Sequence, residues 1–160
     1  SVVACVDSSD TSNLALEQAV RSAAQDGAPL HILHVYSDPW HGLGPPADVK
    51  ANLPDINARY QQAVEQHLRS FCEALGHEMR ALRAAFHVEQ FDKGGHSKGI
   101  VEFVARERCD LVVLGTRSKW NARDFFWGST AERVVREAPC SVLAIKPSGL
   151  EQSPKAPSER

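Results

Sequence analysis

The stretch Asp110-Leu111-Val112-Val113-Leu114-Gly115 decides how this chain folds. Its apolar residues run unbroken from an aspartate to a glycine. A strand with one face on a core alternates apolar and polar side chains, whereas a strand covered on both faces does not. The run therefore predicts a parallel strand buried between two layers of helix. Working outward, Val2-Val3-Ala4-Cys5-Val6 repeats the pattern and ends in Asp7-Ser8-Ser9-Asp10, which is turn and helix-cap chemistry. From Thr11 to about Asp26, Leu14, Ala15, Ala19, Val20 and Ala23 recur at helical spacing, and Gly27 supplies the stop. Leu30 to Tyr36 reads as a second strand, Ala84 to Phe91 as a third and Ser141 to Ile145 as a fifth. Between them, Ser97 to Arg108 reads as a short helix, and Gly128-Ser129-Thr130 opens another that runs to about Glu137.

Residues 37 to 54 hold Pro39, Gly42, Gly44, Pro45, Pro46 and Pro54, too many breakers for a regular element, and predict an excursion over the surface. From about Asp55 to Leu82, Ile56, Tyr60, Val64, Leu68, Phe71, Leu75 and Met79 fall at steps of three and four. That spacing predicts one long amphipathic helix with this stripe in the core and Gly76 as the place for an interruption. Five strand-helix alternations imply an α/β fold: a three-layer, open, five-stranded parallel sheet with right-handed crossovers and helices on both faces.

At 160 residues the chain suits one domain that removes roughly 70% of its unfolded surface from water. Residues 1–147 are expected to form that domain, and the polar, proline-bearing residues 148–160 a disordered tail. A formal net charge of −2 and a pI near 6.4 argue against a nucleic-acid partner, which calls for clustered Lys and Arg. No apolar run approaches the length of a membrane span, and no signal peptide is evident, so a cytoplasmic protein with no membrane association is expected. Cys5, Cys72, Cys109 and Cys140 form no CxxC pair and read as reduced thiols, with Cys5 and Cys140 placed inside apolar strands.

In open parallel sheets, ligands bind outside the carboxyl ends of the strands, where strand order reverses. This directs attention to Asp7–Asp10, Val35–Asp38, Asp92–Ser97 and Gly115–Thr130. In the last of these, Gly115 and Gly128 allow a backbone to approach phosphates closely, and the hydroxyl-bearing helix start at Ser129 and Thr130 presents amide donors to an anion. Arg117, Lys119 and Arg123 add positive charge. Spacing alone leaves two readings open, an anion-binding loop and a plain connection in which Gly128 turns the chain.

Gly115-Thr116-Arg117-Ser118, nine further residues, Gly128-Ser129-Thr130-Ala131-Glu132-Arg133-Val134-Val135 and then Ala138-Pro139-Cys140-Ser141-Val142-Leu143 together resemble the signature of the universal stress protein family. Val3 to Asp7, His34-Val35, Gly94 to Ile100 and Asp110 to Gly115 extend the resemblance over nearly the whole domain. It implies a Rossmann-like sheet of strand order 3-2-1-4-5, of the adenine nucleotide alpha hydrolase type. It also implies a stress-response regulator that binds ATP or AMP, with or without Mg2+, and acts as a homodimer, not chiefly as a catalyst. On this resemblance Asp7 and Val35 meet the nucleoside and Gly115, Arg117, Gly128, Ser129 and Thr130 the phosphates, with Cys5, Val6, Leu114 and Ser118 also at the nucleotide site. Ser118 departs from the pattern by standing where ATP-binding members have their second glycine. If that position needs a positive φ, a serine costs on the order of 1–2 kcal/mol and about tenfold in affinity. The alternative is therefore a dimeric, partner-binding stress protein with no bound nucleotide.

A receiver-like, phospho-accepting domain is a third reading, because Asp7, Asp92, Thr116 and Lys146-Pro147 follow strands one, three, four and five. It lacks the paired acids that such a domain uses to hold magnesium. His31, His34 and His87 lie on strands without carboxylates or cysteines at ligand spacing and read as satisfied or surface histidines. His96 and Lys98 follow Gly94-Gly95 near the carboxyl edge and read as a solvent-facing loop, with an approach to a ligand as the alternative; Trp120, Phe125, Phe126 and Trp127 read as rings that pack under the glycine loop or cover a ligand or a partner; Tyr36 and Trp40 as a lid or dimer contact. The apolar fifth strand has no successor and is expected to be a sheet edge that a second copy covers.

Overall fold

The computed structural model describes residues 1–37, 40, 44–50, 52–91, 95–116 and 128–147, the side chain of Asp48 excepted. The strands are β1 (Val2–Cys5), β2 (Leu30–Tyr36), β3 (Ala85–Gln90), β4 (Leu111–Gly115) and β5 (Ser141–Ile145). They form one parallel sheet in the order β3-β2-β1-β4-β5, as the resemblance implies. The helices are α1 (Asp10–Asp26), the single turn α2 (Ala47–Lys50), α3 (Leu53–Phe71), α4 (Gly76–Ala81), α5 (Gly95–Glu107) and α6 (Ser129–Glu137).

Alternate residues of one strand serve different layers, which is why β1 and β4 carry no polar face. Val2 and Ala4 of β1 join Ala15, Leu16, Ala19, Ile32, Leu68 and Val113 under α1 and α3, while Val3 and Cys5 join Leu33, Val35, Phe103, Val112, Leu114 and Val134 under α5 and α6. Helix α1 starts where Ser9, in extended backbone, accepts a hydrogen bond from the Ser12 amide on its side chain, and stops at Gly27 with φ 61°. Close layer contact depends on Gly99 of α5: a Cβ there would lie 2.7 Å from Val35 Cγ1 and 3.1 Å from Phe91 Cβ, nearer than real side chains sit.

The long second helix differs from the sequence reading. It breaks at Cys72, whose amide is shared between the Leu68 and Arg69 carbonyls, and a 3-10 turn over Glu73–Leu75 precedes α4, so Gly76 begins the next helix instead of interrupting the first. The reset brings Leu68, Cys72 and Met79 together into the core. Ile56 and Val64 are only half-buried and Tyr60 is 40% exposed, because the first half of α3 stands over the carboxyl edge of the sheet and not over its middle. Two smaller corrections concern boundaries. Cys140 precedes β5 and is half-buried, and one helical turn, α2, interrupts the excursion.

His31 of β2 and His87 of β3 are satisfied by each other, Nδ1 to Nε2 at 3.0 Å, beside the edge of the Phe103 ring. One ring must offer a lone pair, so the bond cannot survive double protonation. Burial is the main cause that lowers both imidazoles below the usual histidine range. His87 assists for His31, while Glu107 pulls the other way for both and Glu89 does so for His87. A lowered folded-state value means that the unfolded chain binds more protons on acidification, so stability is expected to fall as pH drops below about 6.5. Urea titrations at pH 7.5 and 5.5 should show this loss in the native chain and a smaller one in a His31→Gln, His87→Gln variant.

Candidate functional site

The chain turns outward from β1 to β2 and β3, then returns to place β4 on the other side of β1. At that reversal the strand ends diverge and leave a cleft of about 520 Å³, within the range of small-molecule sites. Of the residues that the family resemblance assigns to a nucleotide, Cys5, Val6, Asp7, Val35, Leu114, Gly115, Gly128, Ser129 and Thr130 all line it. Arg117 and Ser118 lie outside the described residues, as do Lys119, Arg123, Asp92 and the aromatic run Trp120 to Trp127.

On the α1 side, Asp7 is exposed, and its Oδ1 accepts hydrogen bonds from the Ser9 amide (3.2 Å) and hydroxyl (2.6 Å). Ser9 is thus the cap of α1, and Asp7 holds the cap. Ser8 between them has φ 62°, a left-handed conformation that non-glycine residues adopt at a cost. Ser12 is buried in the cleft wall and donates its hydroxyl to the Ser9 carbonyl at 2.9 Å. Gly115 does more than leave room for a ligand. A Cβ there would lie 2.9 Å from Thr11 Cγ2 and 3.1 Å from the Thr11 carbonyl carbon, so the glycine lets α1 approach the end of β4.

Across the cleft, α6 begins at Gly128, with φ 80° and ψ 136°, and no side chain caps it. The first intrahelical bond runs from the Glu132 amide to the Gly128 carbonyl, so the amides of Ser129, Thr130 and Ala131 precede the helical ladder. All three residues line the cleft. A helix start without a cap, facing a cavity, is a site of positive potential for an anion.

The remaining wall includes His34, which the sequence reads as a satisfied or surface histidine, together with Tyr36 and His96 from the carboxyl-end segments singled out above. His34 donates Nδ1–H to the Val6 carbonyl at 2.6 Å, a bond that fixes its tautomer and ties the end of β2 to the loop after β1. Tyr36 is buried, and its ring lies 5.5 Å from that of Tyr60 at an angle of 59°. His96 lies in the first turn of α5 and lines the cleft, not in a free loop, whereas Lys98 pairs with Glu102 at 3.7 Å. The Cys5 thiol is pushed strongly upward by burial and serves as wall, not nucleophile. Thr116 turns away: its hydroxyl donates to the Ile145 carbonyl at 3.1 Å and its amide to the same oxygen at 2.8 Å, a placement at odds with a receiver's phosphate-contacting hydroxyl. Among the described residues no group of three or more His, Cys, Asp or Glu is arranged to hold a metal, and no helix is long and apolar enough to cross a membrane.

Comparison with known proteins agrees with this architecture. The family model described as "Universal stress protein family" matches residues 1–146. A universal stress protein of Methanocaldococcus jannaschii is 30% identical over 148 residues, covering 91% of this chain and 81% of its own. Universal stress protein E of Photorhabdus laumondii is 32% identical over 121 residues, but those span 71% of this chain and only 36% of its own length. Among solved structures, a universal stress protein in complex with cAMP superposes with a TM-score of 0.60 at 25% identity, covering 89% of this chain and 94% of the other. With a family match over almost the whole described domain, a sheet of order 3-2-1-4-5 and a cleft at its reversal, the chain belongs to the universal stress protein family.

Proposed function

We propose that this protein is an adenine-nucleotide-binding regulator of a stress response that works as a homodimer. The observation that carries the reading is the start of α6: the amides of Ser129, Thr130 and Ala131 precede the helical ladder in a cleft whose opposite wall is Val35, His34 and Asp7. Phosphates of ATP or AMP belong at those amides, and the nucleoside at Val35 and Asp7. The cAMP complex of a relative supports the ligand class. Asp7 is the sole carboxylate among the described lining residues, so Mg2+ held here would rest chiefly on the phosphates. Binding is the output, and the dimer surface the means of passing it on. Residues Val142 to Ile145 of β5 are only half-buried in the single chain, an apolar edge suited to a second copy.

The test is chemical. Protein purified without added nucleotide is denatured, and the supernatant is analysed by chromatography and mass spectrometry, with melting temperature then followed against added ATP. Near-stoichiometric adenine nucleotide is expected, or a rise in melting temperature equivalent to about 2.7 kcal/mol when ATP reaches a hundred times its Kd. A clean supernatant with no shift at millimolar ATP would overturn the reading in favour of a partner-binding dimer with an empty cleft.

A further inference from the structure

A second concavity, of about 470 Å³, lies at the other end of the sheet, where α3, the 3-10 turn and α4 meet the beginning of β3. Its floor is apolar, with Met79 buried and Phe86 half-buried. Three arginines line it, Arg69, Arg80 and Arg83, with Glu73 as the one acidic residue among the lining residues described. Arg69 is occupied: it bonds Glu65 at 2.8 Å and lies 4.4 Å from the centre of the Phe86 ring. Arg80 and Arg83 make no ion pair among the described residues. Their placement is nonetheless constrained. Arg80 folds back over the start of α4, where a Cβ on Gly76 would come within 3.2 Å of its Nη1. Arg83 stands at φ 52° in the turn that ends α4, with the Ala84 amide bonded to the Met79 carbonyl at 2.9 Å.

We propose that this groove docks an acidic segment of a partner protein, with carboxylates on Arg80 and Arg83 and an apolar side chain on the Met79–Phe86 floor. Charge complementarity selects the occupant. Arginine's planar fork matches a carboxylate in two-point geometry. An inorganic anion could meet the arginines but would leave the apolar floor uncovered, and three arginines on a chain of net charge −2 do not make the continuous basic surface that nucleic acid needs. The groove sits beside β3, the sheet edge opposite β5, so a dimer joined through β5 leaves both copies of it open.

The probe is a fluorescein-labelled heptapeptide of Asp and Glu flanking a central Leu-Phe pair, followed by anisotropy on the full chain at low salt. Binding with a Kd in the micromolar range is expected, and weaker binding as salt rises. An Arg80→Glu, Arg83→Glu variant should lose at least tenfold with nucleotide occupancy and melting temperature unchanged. Arg83→Gly removes one charge at a backbone position that favours glycine, and should lose a few-fold. No measurable binding, equal binding by the double variant, or equal binding of an all-acidic peptide without Leu-Phe would overturn the proposal. So would tighter binding of single-stranded DNA that the same variant abolishes.

Discussion

Phe103→Ala is expected to lower the free energy of unfolding by about 3–5 kcal/mol in urea titration, the range for emptying a phenylalanine site in a packed core. Phe103 is 1% exposed and is among the largest fully buried side chains of the described residues. It belongs to α5, and its ring meets the His87 ring at 4.8 Å and the His31 ring at 6.0 Å, so it joins the helix layer to two strands at once. Arg106 lies 5.1 Å from its centre on the outer side, bonded to Glu89 at 2.7 Å. Collapse into the cavity would have to move a strand pair, which is why little relaxation is expected. Domains of this size are stable by only about 5–15 kcal/mol, so the variant should sit close to unfolding at 37 °C. Phe103→Leu keeps most of the volume and should cost clearly less. Water reaching the histidine pair in the alanine variant should also weaken the pH dependence of stability between 7.5 and 5.5. A loss under 1 kcal/mol would show that α5 is not anchored through this ring.

Gly128→Ala is expected to raise the Kd for adenine nucleotide by about tenfold or more, measured by isothermal titration. At φ 80° and ψ 136° the backbone is in a region that an L side chain enters only with strain of about 1–3 kcal/mol. Either the strain is retained, or the start of α6 rotates to relieve it and its amides leave their line into the cleft. About 1.4 kcal/mol corresponds to each factor of ten in affinity. Retained strain alone would lower stability with little change in Kd, so melting temperature and affinity together separate the two responses. Unchanged affinity with a lowered melting temperature would overturn the expected tenfold loss and show that the strain is retained with the start of α6 in place.

Much of the fold could be read from local chemistry because parallel strands buried on both faces announce themselves. Val2 to Val6 and Leu111 to Leu114 have no polar residue to confuse with a surface. Apolar spacing is a poorer guide to which layer a residue meets. The steps of three and four through α3 place Tyr60 and Leu68 on one stripe, but the helix outruns the sheet, so Leu68 is in the core and Tyr60 stands by the cleft. Periodicity reports a face of a helix and says nothing of where the neighbouring layer ends. The cleft itself followed from a topological rule, and Asp7, Val35, Gly115 and Gly128 were found through the family pattern. His34 as a lining residue needed three dimensions, since its strand gives a sufficient local reason for it, whereas Tyr36 and His96 fall in segments that the same topological rule singled out. Gly115 has a reason no motif expresses, the approach of Thr11.

The two borders of the sheet are unlike. β5, Ser-Val-Leu-Ala-Ile, is uncharged, whereas β3, Ala-Phe-His-Val-Glu-Gln, carries Glu89 tied to Arg106 and His87 tied to His31. Strand ladders are indifferent to how many chains they join, and charge along a border is what stops them. If β5 pairs with a second copy as proposed, a molecule with one permissive border and one guarded border has nothing left to extend, and its association would terminate at a pair instead of growing into a fibre.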